Sequence, residues 1–513
     1  MEMLQNLVES LPVTAKLNYR DVPVTGIAYH SNQVVPGSLF VCIKGYKTDG
    51  HRFLPRAAAA GAVAAVVEEF QKEVPLPQLK VQNSRKALSS LAARFYRFPS
   101  RRLKVIGITA TNGKTSTAFM TNAVLEENGL KTGLIGTVVV KTGATLRPAS
   151  LTTPESLDLQ YYLHRMVEQG VTHVTMEASS SGLELHRVDD VEFDIVALNN
   201  ISREHIDLHG SFEAYLNAKA RLVREASPRQ WAIFNLDCPY SAALAKETPA
   251  RAVTYGIQND KGDFAVRDLD LSTGRARFLV ELKKPMMLGD IVYAPMSFPV
   301  ELAVLGLHSV YNSMVAVITG LILGIPTAQI RRALKGFGGV ERRFELIFDD
   351  EFKVIDDHFA NSGNIDVTLG TLKKMDYNRL ILVYAIRGNR GVTVNRENAE
   401  TIVRWAGELG LEEIIATTSN SHVGEKDRVA ADEAAVFREV MRKTGLSYTL
   451  CRELPEAIEE GLSRAGKGDV ILLAGCQGMD HGARLILEEI YRRKPQLGKE
   501  KIFQPLKHRV AGM

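Results

Sequence analysis

Residues 105–117 read Val-Ile-Gly-Ile-Thr-Ala-Thr-Asn-Gly-Lys-Thr-Ser-Thr. The β-branched run at its start predicts a strand. The stretch through Phe119 and Ala123 predicts a helix that ends near Gly129, where a missing Cβ suits the left-handed cap. Successive N–H groups in the turn between them, together with the positive end of the helix, bind phosphate oxygens. Lys114 would reach the β and γ phosphates of a nucleotide and the Thr115 hydroxyl would ligate magnesium, with Gly107, Thr111, Asn112, Gly113 and Ser116 completing the loop. The spacing Gly107-x5-Gly113-Lys114-Thr115 is one residue longer than the commonest loop of this kind.

Outward from this loop, strand-like runs at 104–109, 173–177, 194–199 and 232–235 alternate with helical stretches, the pattern of a parallel sheet with crossovers. After Gly336, Gly338 and Gly339 the alternation restarts, with strands at 353–356, 380–385, 413–417 and 470–474 and helices at 397–409 and 432–443, a second doubly wound unit. Before the loop, runs at 24–29, 38–42 and 62–67 lie between turn residues and predict a small α/β domain, and the alanine-rich run 56–65 reads as a helix. The expected division is a small N-terminal α/β domain at 1–102, a central P-loop parallel-sheet domain at 103–338, a C-terminal Rossmann-like domain at 339–492, and a basic, frayed tail at 493–513. No G-x-G-x-x-G opens the first helix of the last unit, which argues against a dinucleotide oxidoreductase.

A length of 513 residues with 45% hydrophobic and 24% charged residues excludes disordered, collagen-like and coiled-coil classes. A net charge of +4 is too small to argue for nucleic acid binding. Cys42, Cys238, Cys451 and Cys476 lie far apart in sequence, which indicates neither a disulfide framework nor a zinc ribbon and suits a reducing cytoplasm. The N-terminal residues lack a charged head followed by an apolar run, and no apolar stretch approaches the ~18 residues of a membrane span. A monomeric cytoplasmic protein acting on small molecules, free of membrane and nucleic acid, is the expectation.

The string GITATNGKTS at 107–116 resembles the nucleotide loop of the Mur ligases, ATP-dependent amide-forming enzymes of peptidoglycan precursor synthesis, whose usual form is GTNGKT. Ala110 stands where the first glycine of that form is common. Within the family the resemblance is to the MurE type, the UDP-N-acetylmuramoyl-tripeptide synthetases. Thr152-Thr153-Pro154 resembles the TTP motif that faces substrate. Residues 176–183, MEASSSGL, resemble MEVSSHGL, which implies Glu177 as a magnesium ligand and Ser179, with Arg187 after it, at the substrate. A carboxylate ending a buried parallel strand is costly unless it is paired or binds metal. Residues 198–210, LNNISREHIDLHG, resemble TNLSRDHLDYHG, which implies His205 as a second metal ligand, with Asn200 and Asp207 shaping the site. Lys219 aligns with a lysine that several members carbamylate, turning a cation beside the metals into an anionic ligand. Asn312, in a segment resembling GxFNVYN, is implied near the adenine. The implied catalytic set is therefore Lys114, Glu177, His205 and Lys219, with ATP and Mg2+ as cofactors.

The substrate ends match less closely. Residues 30–41 resemble DSRxVxPGDLFVA, with Ser31 and His51 implied at a uridine diphosphate, while His30 and Asn32 replace the aspartate and arginine of DSR. In the last domain, 339–345 resembles GRxE, with Arg343 implied at the nucleotide, and Asp357 matches the aspartate of DYAH. Residues 386–391 keep Arg390 of a GGDRDKGKR pattern. Ser419, Asn420, Ser421 and His422 stand in place of DNPR, and 475–481 in place of GKGHE, so the amine pocket lacks the guanidinium that would grip a carboxylate bidentately. The resemblance implies an amino acid added to UDP-N-acetylmuramoyl-L-alanyl-D-glutamate through an acyl phosphate. A divergent paralogue joining another carboxylate and amine, and a non-catalytic nucleotide-binding regulator, stay open beside it.

Overall fold

The computed structural model describes residues 1–9, 11–45, 48–202, 209–507 and 509. The protein is α/β and divides into two compact units, Met1–Thr254 and Tyr255–Met513.

The first unit begins with a five-stranded sheet, in the order Ala15–Leu17, Gln78–Lys80, Ala62–Val67, Ser38–Val41, Gly26–Ala28. All neighbours are parallel except the first pair. The alanine-rich run is not one helix: the helix stops at Ala59, and residues 62–67 are a strand. Gly61 causes the break, because it turns at φ +100° where a Cβ would come within 2.8 Å of the Pro36 Cα.

The second sheet of this unit carries the phosphate loop. Its parallel strands run Thr132–Ile135, His173–Glu177, Lys104–Thr109, Ile195–Leu198, Trp231–Asn235. Lys104–Thr109 is thus central, with the strand ending in Glu177 on one side and the strand leading to Asn199 and Asn200 on the other. An antiparallel hairpin, Val139–Thr142 with Thr145–Pro148, extends the edge beyond Thr132–Ile135. Gly107 lies inside the central strand, paired with Met176 and Val196. A Cβ there would meet the Phe193 ring at 2.6 Å, so its glycine character serves packing under the sheet.

In the second unit, residues 264–305 depart from the parallel pattern. Phe264–Asp270, Arg275–Leu282 and Met296–Leu305 pair antiparallel, and burial alternates in and out along the central one, Arg275–Leu282. Helix Leu307–Ile322 follows. The unit ends in a six-stranded sheet ordered Glu345–Asp349, Lys353–Asp357, Val470–Gly475, Leu380–Ala385, Glu413–Thr417, Ser447–Cys451, parallel except for its first strand. Apolar clusters cover both faces, around Leu382 on one side and Val383 on the other. Through residue 507 the C-terminal segment is not frayed. Helix Lys499–Phe503 buries Ile502, and Arg509 is 5% exposed because it pairs with Asp356 and Glu345. Composition alone missed this, since a basic side chain counts as solvated until its buried acid is known.

No helix among the described residues is long and apolar enough to cross a membrane.

Candidate active site

The strand Lys104–Thr109 ends in a turn that closes on helix Lys114–Glu127, with Gly113 at the N-cap in the left-handed region (φ +87°) and no side chain capping the helix. The first-turn N–H groups carry the positive end of the helix. Asn200 holds the turn from outside. Its carbonyl accepts from the Thr111 N–H at 2.8 Å, its Oδ1 from the Asn112 N–H at 2.9 Å, and its Nδ2 donates to the Asn112 carbonyl at 2.9 Å. The Thr111 hydroxyl lies 2.9 Å from that of Tyr215 and accepts from the Ser202 N–H. The backbone shape of the loop is set by its neighbours before any ligand arrives.

Two amines converge on this turn. Lys114 Nζ donates to the carbonyls of Ala110 (2.8 Å) and Thr111 (3.0 Å). Lys219, 1% exposed on helix Phe212–Arg224, also donates to the Ala110 carbonyl at 2.8 Å and sits 5.0 Å from the centroid of the Tyr215 ring. Sharing one acceptor keeps the two amines within about 6 Å of each other.

Glu177 is fully buried at the end of its strand. Its Oε2 accepts from the hydroxyls of Thr115 (3.0 Å) and Thr137 (3.1 Å), and its Oε1 from the Thr137 N–H (2.8 Å). A Cβ at Gly136 would come within 2.4 Å of Oε1, so any larger residue there would displace the carboxylate from this position. The Thr115 hydroxyl and Glu177 carboxylate are hard oxygen donors side by side, a donor chemistry that suits magnesium. The network continues outward. The Thr137 hydroxyl is 3.1 Å from that of Thr152, and the Thr153 hydroxyl is 2.8 Å from the Glu177 carbonyl and accepts from the Ser179 N–H at 3.0 Å. Arg187 donates to the Thr153 carbonyl at 3.0 Å and to Glu155 at 2.7 Å. Thr111, Asn112, Gly113, Lys114, Thr115, Thr152, Thr153, Glu177, Ser179, Arg187 and Lys219 thus form one bonded group, and Ser116 follows in the first helical turn. Gly136, Thr137 and Tyr215 belong to it and were not singled out from sequence. His205 and Asp207 lie outside the described residues.

Ser31 and His51 stand apart in the N-terminal sheet domain. Ser31 opens a 3-10 turn. His51 is 4% exposed, with Nδ1 on Asp49 at 2.6 Å and Nε2 accepting from the Glu68 N–H at 2.9 Å, so its ring ties its own loop to the end of strand Ala62–Val67.

In the second unit the expected residues gather at the carboxyl edge of the six-stranded sheet, where open parallel sheets bind ligands. Asp357 accepts from the Phe344 N–H at 2.9 Å and from the Thr368 hydroxyl, and so ties the segment of Arg343 to helix Ser362–Leu372. Arg342 takes the glycine place of GRxE at φ +57°, a strain of roughly 1 kcal/mol. In return its buried guanidinium donates to the Cys476 carbonyl at 3.0 Å, to the Gly475 carbonyl and to Asp480, and approaches Asp356, which pairs with Arg509. Arg390 pairs with Asp427 at 3.5 Å. Glu433, 2% exposed, accepts the N–H groups of Asn389, Arg390, Gly391 and Ala430. Burial alone would raise its carboxyl, and these bonds bring it below the usual range. Asn420 and His422 share a 3-10 turn, with the His422 ring 5.5 Å from that of His481. Asn312 is 2% exposed on helix Leu307–Ile322.

A glycine-capped phosphate loop over a buried carboxylate, on this strand order, can now be compared with known proteins. The Mur ligase middle domain matches residues 108–320, the Mur ligase family catalytic domain 23–96, and the Mur ligase glutamate ligase domain 342–477. A UDP-N-acetylmuramoyl-L-alanyl-D-glutamate--2,6-diaminopimelate ligase of Bacillus velezensis is 35% identical, covering 93% of this chain and 94% of that one. The chain belongs to the Mur ligase family. The ligase of the same name from Caldanaerobacter subterraneus subsp. tengcongensis is 34% identical over 89% of this Mur ligase and 90% of its own length. Among solved structures, a diaminopimelate ligase of that name superposes with a TM-score of 0.63 at 25% identity, covering 88% of this chain and 89% of that one. The MurF ligase of Thermotoga maritima in complex with ADP superposes at 0.62 with 18% identity, covering 93% and 99%, a likeness of fold. This Mur ligase is an ATP-dependent enzyme of the three-domain Mur fold, acting on small-molecule substrates.

Proposed function

We propose that this enzyme joins an amino acid to the free carboxyl of UDP-N-acetylmuramoyl-L-alanyl-D-glutamate, with ATP, in peptidoglycan precursor synthesis. The observation that carries the proposal is the Thr115–Glu177 oxygen pair beneath a glycine-capped helix start, in a chain matched nearly end to end by ligases of that acceptor. The acceptor carboxylate attacks the γ phosphorus of ATP and ADP departs. The amine then attacks the acyl carbon of the resulting acyl phosphate, phosphate leaves, and the amine's proton passes to solvent.

Phosphoryl transfer concentrates negative charge on oxygens, so most of the catalysis is positioning and charge neutralisation. Lys114 and the first-turn N–H groups supply the positive field at the loop. Thr115 and Glu177 would hold magnesium, with His205 and a carbamate on Lys219 as further ligands, and the bound ion would offset charge on the phosphate oxygens. Carbamylation of the Lys219 ammonium adds carbon dioxide with loss of two protons to solvent, replacing a cation beside Lys114 by an anion. Thr152, Thr153, Ser179 and Arg187 orient the acceptor, whose uridine end belongs to the domain of Ser31 and His51, residues 1–102. The central domain, 103–338, takes ATP through its loop and Asn312. The C-terminal domain, 339–492, brings the amine, with Arg343 and Asp357 at the nucleotide side and Arg390, Asn420 and His422 at the amine. A monomer in the cytoplasm is part of this reading, and the four free thiols suit a reducing compartment.

Full-length protein with UDP-N-acetylmuramoyl-L-alanyl-D-glutamate, ATP, magnesium and a panel of amino acids should release phosphate and yield a product heavier by one residue. Silence across the panel refutes the assignment. The same chemistry on another carboxylate is favoured by the replacement of DSR by His30-Ser31-Asn32, and phosphate release only with other acceptors would select it.

A further inference from the structure

We infer that Arg387, with His358 near it, forms an oxyanion site that takes a carboxylate of the incoming amine donor. The inference rests on the ligase reading above and names the residue that reads its second substrate. Arg387 follows strand Leu380–Ala385 at the carboxyl edge of the sheet. Its backbone is clamped by Asn395, whose Oδ1 accepts from the Arg387 N–H at 3.2 Å and whose Nδ2 donates to the Arg387 carbonyl at 2.8 Å. Its Nη1 donates to the Ala360 carbonyl. Its Nε is buried and has no acceptor among the described residues.

Arg342, Arg390 and Arg509 each pair with a carboxylate. Among the described residues no such pair forms for Arg387 or Arg343. A buried guanidinium donor without an acceptor is costly, and here the open donors are adjacent. With Nη1 committed to Ala360, the remaining edge, Nε and Nη2, presents two parallel N–H groups, the fork that matches a carboxylate.

The neighbours complete the pocket. The Cys476 thiol donates to the Phe359 carbonyl at 3.1 Å, lacing the loop of His358 to the end of strand Val470–Gly475, while Asp357 fixes the segment of Arg343. Burial, then Arg343, Arg342 and Arg387, hold the His358 imidazole well below its usual proton affinity, so it enters as a neutral ring among cations. In the GGDRDKGKR pattern Arg387 takes a glycine's place, so a guanidinium appears here in the same sheet edge that lacks one at residues 419–422.

The test is steady-state phosphate release by the full-length enzyme with its best amino acid and with the corresponding amino alcohol, which lacks the carboxylate. Arg387→Met should raise the KM for the amino acid about tenfold or more, leave the KM for ATP within about twofold, and erase the preference for acid over alcohol, with Arg387→Lys intermediate. A rise in the KM for ATP instead, or an intact acid preference in Arg387→Met, overturns the assignment. If Arg387→Met does not fold, Arg387→Lys carries the same comparison. If the wild type turns over no amino acid, the ligase reading fails by itself, and glutarate then probes the pocket directly. Movement of the His358 ring signal in histidine-labelled wild type but not in Arg387→Lys supports it, and no movement in the wild type overturns it.

Discussion

The phosphate-loop group of the first unit and the loops at the carboxyl edge of the last sheet do comparable work by opposite means. In the first, functional side chains hold one another: Thr115 on Glu177, Glu177 on Thr137, Thr137 on Thr152. In the second, dedicated residues hold backbone. Arg342 takes the carbonyls of Gly475 and Cys476, Glu433 gathers four N–H groups, and Asn395 clamps Arg387, leaving readers such as His422 attached to the scaffold by little more than their own turn. An interlocked site tolerates no change without loss of chemistry. A scaffold separate from the side chains it presents lets those side chains change without loss of the frame.

The sharpest way to break the comparison is Glu177→Ala. It deletes a proposed metal ligand and the shared acceptor of Thr115 and Thr137 together, so kcat/KM from phosphate release should fall about a thousandfold, on the order of 4 kcal/mol. A loss under tenfold would show that the group is not interlocked. Gly136→Ala probes the same point from the backbone. Its methyl would sit 2.4 Å from Glu177 Oε1, so the carboxylate must shift away from Thr115. The expected loss is roughly 30-fold, with the magnesium requirement moved to higher concentration and thermal stability changed by only about 1 kcal/mol.

In the second unit the matching change is Glu433→Ala. It leaves the N–H groups of Asn389, Arg390, Gly391 and Ala430 without their acceptor and should cost on the order of 2 kcal/mol of stability, read by denaturant midpoint. Because the folded carboxyl lies below its ordinary value, its contribution is present above the unfolded value of 4.5 and fades as pH falls through the folded one. The variant should lose stability at neutral pH and lose part of its acid sensitivity. A large change in kcat with stability intact would mean that this loop works like the first site.

The same contrast explains what was legible in the sequence. Strand, turn and helix at 104–127 follow from β-branched residues, Gly113 and Lys-Thr, because local propensity and ligand chemistry coincide there. Glu177 was legible because a carboxylate at the end of an apolar strand needs a partner. Its partners Thr137 and Gly136 were not, since nothing local distinguishes a Gly-Thr turn beneath a carboxylate from any other. Antiparallel strands at 264–305 were hidden by reading alternation as crossovers, although in-out alternation at 275–282 marks a sheet open to solvent on one face. Arg342, Asp356 and Arg509 meet across 167 positions of chain at the extremes, a distance over which periodicity carries no information.

The smallest effect expected concerns His308, in the segment resembling GxFNVYN. Its ring stands 5.7 Å from Phe344, edge to face, with Nδ1 3.3 Å from the Thr371 hydroxyl, and burial pushes its pKa down from 6.5 to about 4. The folded state therefore favours neutral imidazole, whereas the unfolded chain binds a proton as pH falls below 6.5. Stability is full above that value and declines as pH drops toward 4, by about 1 kcal/mol between pH 6.5 and roughly 5.5. His308→Asn removes the titrating group and keeps a polar partner for Thr371, so its stability should be flatter over that window. Denaturant unfolding of both proteins across the window reads the difference. Parallel slopes would show that the ring is protonated in place, and would put the acid sensitivity of this unit on its carboxylates, Glu433 first.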